Sequence, residues 1–143
     1  LVQRTRAEAA IVARLTGHRQ VAAAVTRARL TAMPLPTGNP LNWSIEQRLR
    51  ASFHPQRSGD ILFALQPDVT PITDADAANP SRYVATHGSV WDYDRRVPML
   101  FWRKGLAGFE QPGPVMTVDI LPTLAALIGL PIASAQIDGR CLD

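Results

Sequence analysis

Apolar positions along the chain gather into six short patches, and their spacing predicts three helices and three strands. In Arg4–Thr16, Ile11 and Leu15 lie four apart, Val12 follows Glu8 by four, and alanines fill the remainder. That is a helix pattern, with Gly17 as its stop. Val21–Thr26 is short and β-branched at both ends, which predicts a strand. Ile45, Leu49 and Phe53 recur every four residues and give one apolar stripe on a second helix, Ser44–Phe53. Its start, Ser44-Ile45-Glu46-Gln47, has the capping-box form, in which Ser and Gln each satisfy an orphan amide. Asp60–Gln66 and Val97–Trp102 are unbroken apolar runs and read as buried strands. Asp119–Ile128 is the third helix, with Asp119 as cap and Pro122 in its first turn, where a missing donor costs nothing. Leu121, Leu124, Leu127 and Ile128 are its expected buried face, and Gly129 its end.

The connections are equally legible. Met33–Pro40 holds three prolines and a glycine, so it is a loop and the expected internal boundary. Pro67–Pro80 carries three prolines with Asp68, Asp74 and Asp76, and reads as a long surface loop. Arg103-Lys104-Gly105 is a turn. These elements predict an α/β fold: a mixed β-sheet with helices packed on it.

Composition narrows the class. The 143 residues are 46% apolar and 19% charged, a globular balance sufficient for one core. The net charge of +3 is spread over dispersed arginines, without a basic block or aromatic interleaving, which argues against nucleic-acid binding. No run has the length of a membrane span, so no membrane partner is expected. Leu1-Val2-Gln3-Arg4 leads into an amphipathic segment and not into a signal-peptide core. The absence of an initiating Met predicts a processed, cleaved or trimmed piece. Cys141 has no internal disulfide partner and no metal-motif spacing.

The best candidate chemistry is His87. It stands in a small-residue turn, Thr86-His87-Gly88-Ser89, followed by Trp91-Asp92-Tyr93-Asp94 and the Val97 run. Gly88 and Ser89 leave room for a metal or substrate to approach the imidazole. His87, Asp92 and Asp94 do not match a complete metal motif, and Asp94 reads as an ion-pair partner or turn brace. His18 and His54, each at a helix end, read as structural. Ser58-Gly59-Asp60 reads as a turn, and Asp74 and Asp76 as solvated acids. No nucleophile motif is present.

Taken together, Thr86-His87-Gly88-Ser89, Tyr93-Asp94 and Val97-Pro98-Met99-Leu100-Phe101 resemble the C-terminal histidine motif of bacterial alkaline phosphatases. The branch is the one related to nucleotide pyrophosphatase/phosphodiesterases. Ser58–Ile61 with Leu65-Gln66-Pro67 is similar to the preceding strand, Thr117–Leu124 to the terminal helix, and Asp138-Gly139-Arg140 to the ending. These segments follow one another in the family's order over most of the chain.

The resemblance implies a zinc-dependent phosphate-ester hydrolase. Two zinc ions serve a Thr or Ser nucleophile that forms a phosphoenzyme, and an activated water then releases phosphate. His87 matches the last zinc ligand, acting as neutral imidazole. The nucleophile, the other ligands and the phosphate-binding groups lie upstream in the family. The chain is thus expected to be the C-terminal portion of a longer catalytic domain, with a smaller α/β lobe over residues 1–80. Residues 81–143 would hold the metal-ligand loop, a core strand and the terminal helix. Such a piece would be inactive alone, bind zinc weakly, and self-associate through exposed apolar surface. Periplasmic location follows from the resemblance only. The alternatives are a non-enzymatic α/β binding or interaction domain with a structural His87, and a sulfatase-like relative. Monoester against diester preference depends on groups that would lie upstream.

Overall fold

A computed structural model describes residues 2–71, 78 and 86–142. The chain divides into two compact units, Leu1–Phe101 and Trp102–Asp143.

The first unit is built on an antiparallel pair, β1 (Val21–Thr26) and β2 (Ile61–Leu65), joined by a long helical connection. Thr26 faces Ile61, Ala24 faces Phe63 and Val21 faces Leu65, with a bulge between Val21 and Ala23. The ladder is extended at one end by Arg27 N–H donating to the Asp60 carbonyl at 2.7 Å, and at the other by Gln66 to Gln20 at 2.8 Å. Three helices accompany the pair: α1 (Val2–Thr16), α2 (Arg27–Ala32) and α3 (Ile45–Ser52). Thr26 caps α2 through its side chain, a short helix that hydrophobic spacing did not reveal. Ser44 caps α3 with both capping-box bonds present. Val25, Leu30, Leu49, Phe53 and Ala64 form the buried core, with Ile45, Leu62 and Val90 packed against it. Leu30 has no exposed surface.

Arg27 holds the connection before β2. Its guanidinium donates to the carbonyls of Pro55 and Ser58 and pairs with Asp60 at 3.1 Å. Ser58 accepts from the His54 amide at 2.9 Å, closing a turn over residues 55–57, and Ser58-Gly59-Asp60 follows as a bend into β2.

Two expectations are corrected in this unit. β2 is a strand but not a buried one: Phe63 is half exposed, because a two-stranded sheet cannot cover both faces. The expected α/β class holds, with helices packed on a sheet; Val97–Trp102 forms no strand, and among the described residues the sheet is an antiparallel pair and not a mixed one. Pro98 offers no amide to a ladder, and Val97 and Leu100 are 66% and 90% exposed. Asp74 and Asp76 lie outside the described residues.

The second unit carries a 3₁₀ turn (Thr117–Asp119) running into α5 (Ile120–Leu127), and a further 3₁₀ turn (Ser134–Gln136). α5 ends in a Schellman arrangement: Gly129, at φ +69°, donates to Ala126 at 3.2 Å and Leu130 to Ala125 at 2.8 Å. Its buried side consists of Pro122, Thr123 and Ala125. The expected apolar face is reversed: Leu121, Leu124 and Ile128 are 54%, 46% and 75% exposed, and Leu127 is half-buried. The spacing marked the stripe correctly, but the described residues supply nothing to cover it.

Asp119, 2% exposed, does not cap α5 with its side chain. Its carboxylate accepts from the Met116 amide at 2.8 Å and from the Arg140 amide at 3.0 Å. The Asp119 carbonyl accepts from Thr123 Oγ1 at 2.7 Å, and Thr123 Oγ1 accepts from Leu142 N–H at 3.0 Å. Buried polar groups are thereby satisfied, and the tail is drawn onto the helix start. Gly139 permits this approach, since a Cβ there would lie 2.0 Å from the Val118 carbonyl oxygen. The Thr117–Leu124 and Asp138–Arg140 segments therefore form one hydrogen-bonded unit.

Candidate functional site

His87 lies in the first unit, on an exposed loop of residues 86–89. Gly88 has φ +104°, a conformation glycine adopts without strain. A short helix, α4 (Asp92–Arg95), follows. Pattern reading missed it, since four residues show no helical period; the signal was the pair of acids in its first turn.

This loop is tied to the unit by side chains that reach backbone. The Trp91 indole donates to the Leu65 carbonyl at 3.0 Å, at the end of β2. Tyr93 Oη accepts from the Asp68 amide at 3.0 Å. Asp68 itself adopts φ +59°, a left-handed conformation that Asp tolerates better than most residues. Arg48, from α3, donates to the Val90 carbonyl at 2.8 Å and to the Trp43 carbonyl at 2.9 Å. Arg95 reaches the Pro40 carbonyl at 3.3 Å.

The two acids of α4 have different fates. Asp92 pairs with Arg48 at 3.1 Å and with Arg95 at 3.4 Å. Burial, reinforced by the Arg48 charge, lowers the Arg95 pKa, and Asp92 opposes that shift. Asp94 instead accepts the Ser89 backbone N–H. That bond, the largest cause, holds its carboxyl below the usual Asp value, with smaller help from the Ser89 side chain, the Gly88 backbone and the His87 charge. Asp94 is therefore the turn brace that its position suggested, and it forms no ion pair among the described residues.

Between the end of β2 and this loop lies a cavity of about 520 Å³. Phe63, Asp68, Thr70, His87, Ser89 and Tyr93 are among its lining residues. Among the described residues the His87 ring makes no hydrogen bond, and the residue lines the cavity. Among the described residues no group of three His, Cys, Asp or Glu side chains is placed to hold a metal. His87, Asp92 and Asp94 are not brought together as one donor set, because Asp92 is spent on arginines. One accessible imidazole fits a single zinc coordination position, and a catalytic zinc needs about three protein ligands. His18 and His54 lie elsewhere; each accepts a local amide at Nδ1, from Gln20 at 3.3 Å and from Gln56 at 3.2 Å.

Comparison with known proteins adds a second line of information. Alkaline phosphatase PhoD of Zymomonas mobilis subsp. mobilis is 54% identical over 129 residues, 90% of this chain and 22% of that protein. Alkaline phosphatase PhoK of a Sphingomonas species is 55% identical over 141 residues, 99% of this chain and 25% of that protein. The chain is thus similar to bacterial alkaline phosphatases. It spans about a quarter of the length of the relatives it matches. No family model matches it. No helix among the described residues is long and apolar enough to cross a membrane.

Proposed function

We propose that this chain is part of a phosphate-ester hydrolase of the alkaline phosphatase type and contributes a zinc-ligand histidine, His87. The observation that carries the reading is the similarity to two alkaline phosphatases over nearly the whole chain. The state of His87 agrees with it. The residue lies on an exposed loop and lines the cavity beside β2, where a ligand could reach it.

Zinc, when bound, supplies a Lewis acid for the phosphoryl oxygen and lowers the pKa of bound water. The part this chain plays is to present a neutral imidazole, on the loop of residues 86–89 held by the anchors at Trp91, Tyr93 and Val90. The remaining ligands and the nucleophile would come from other parts of the protein. On this reading the chain is the C-terminal portion of a periplasmic enzyme and is inactive alone. The wording of Thr86–Ser89 and Val97–Phe101 favours the branch related to nucleotide pyrophosphatase/phosphodiesterases.

The test is His87→Ala in the intact protein, with metal content and nitrophenyl phosphate hydrolysis both measured. Zinc occupancy should fall and hydrolysis should drop by about a hundredfold or more, as expected when a metal that activates the nucleophile is lost. Unchanged zinc content and unchanged hydrolysis would return His87 to a structural role.

A further inference from the structure

We infer that Asp94 is a positioning residue for His87, holding the loop from which the imidazole is presented. This rests on the reading of His87 as a metal ligand.

Of the two carboxylates on α4, Asp92 is consumed by Arg48 and Arg95. Asp94 sits beside Arg95 and Arg96 in sequence yet forms no ion pair among the described residues, and turns back to the Ser89 N–H. That contact crosses five residues and closes a small ring over 89–94. The ring is reinforced from within: Trp91 N–H donates to Ser89 Oγ at 3.3 Å, and the amides of Asp94 and Arg95 donate to the Trp91 carbonyl at 3.1 and 3.0 Å. The ring is anchored outside by Trp91 to Leu65 and by Arg48 to Val90. His87 itself has no side-chain anchor among the described residues. The described backbone that follows it passes through Gly88, which has φ +104° and no Cβ and so restrains the chain only weakly. Asp94 supplies the missing restraint two residues after the imidazole. A metal ligand on an otherwise free glycine loop would lose affinity to its own motion, and a restraint outside the coordination shell recovers it.

The experiment uses the intact protein and zinc alone, with affinity measured by chelator competition and folding by melting temperature. Asp94→Ala should weaken zinc binding by about ten- to a hundredfold, the usual effect of losing a group that orients a ligand. Asp94→Asn keeps an oxygen for the Ser89 amide and should stay within about threefold of the original affinity. Both should melt within a few degrees of the parent. Should the alanine variant fail to fold, Asp94→Ser, too short to reach Ser89, carries the same expectation. Parental affinity in D94A, or D94N as weak as D94A, overturns the positioning role. His87→Ala separates the two claims: if it too binds zinc like the parent, the reading of His87 has failed, and if it alone loses zinc, only the role of Asp94 has.

Discussion

The Trp91 indole N–H donates to the Leu65 carbonyl at 3.0 Å, fastening the segment after His87 to the last residue of β2. Trp91→Phe keeps a ring in place and removes the donor. It should cost about 1 kcal/mol, the net value of one hydrogen bond with its partly buried acceptor left unmet. Denaturant unfolding measures this, and amide exchange over residues 89–94 should quicken. Unchanged exchange would show that the anchor is dispensable.

The Ser89–Asp94 bond predicts a pH dependence. Asp94 has a folded-state pKa below its ordinary value, so it stabilises the fold above about pH 3.9 and ceases to do so as pH falls through the lowered value. Stability measured against pH should therefore separate the parent from Asp94→Asn near neutrality, and the gap should narrow as pH falls below about 3.9, closing once the lowered Asp94 value is passed. A gap that stays constant or widens through that acid range would assign the difference to something other than the carboxylate.

Leu30 is the most deeply enclosed large side chain of the first unit. Truncating it in Leu30→Ala leaves a cavity among Val25, Leu49 and Phe53, at a cost of about 2–5 kcal/mol. A shift of under 1 kcal/mol in chemical denaturation would mean the cluster collapses around the gap.

Gly139→Ala places a methyl group 2.0 Å from the Val118 carbonyl oxygen. The tail must then back away from Asp119, costing about 1–3 kcal/mol as overpacking does. Hydrogen exchange at the Arg140 and Leu142 amides should rise, and protection equal to the parent would contradict the close approach.

The outward stripe of Leu121, Leu124 and Ile128 predicts association of the isolated chain. Light scattering should give a mass above 15.6 kDa that grows with concentration, and Leu121→Gln with Leu124→Gln should reduce it. A monomer mass at every concentration would sink this expectation.

What the sequence made legible was local. Ser44 and Gln47 announce the start of α3, because both capping bonds form within one turn. Gly129 announces the end of α5 for the same reason. A strand, in contrast, is a relation between distant segments. Val97–Trp102 has the composition of one, yet residues 97–101 have no ladder partner among the described residues. The stripe on α5 was visible, but a stripe says which side is apolar and not what lies against it. Asp119 was expected to cap α5, but its carboxylate takes the Met116 amide and, 21 residues on, the Arg140 amide, which no local spacing reveals. At the site, the brace at Asp94 was readable from short spacing, whereas Thr86–Ser89, expected as a turn, is irregular chain. The anchors from Arg48 and Trp91 were not, since they join residues 42 and 26 positions apart.

One buried carboxylate gathers in the far end of this chain. With the amides of Arg140 and Leu142 engaged by Asp119 and Thr123, residues 138–142 behave as a clasp on the start of α5, and tension applied to them is felt first at Asp119.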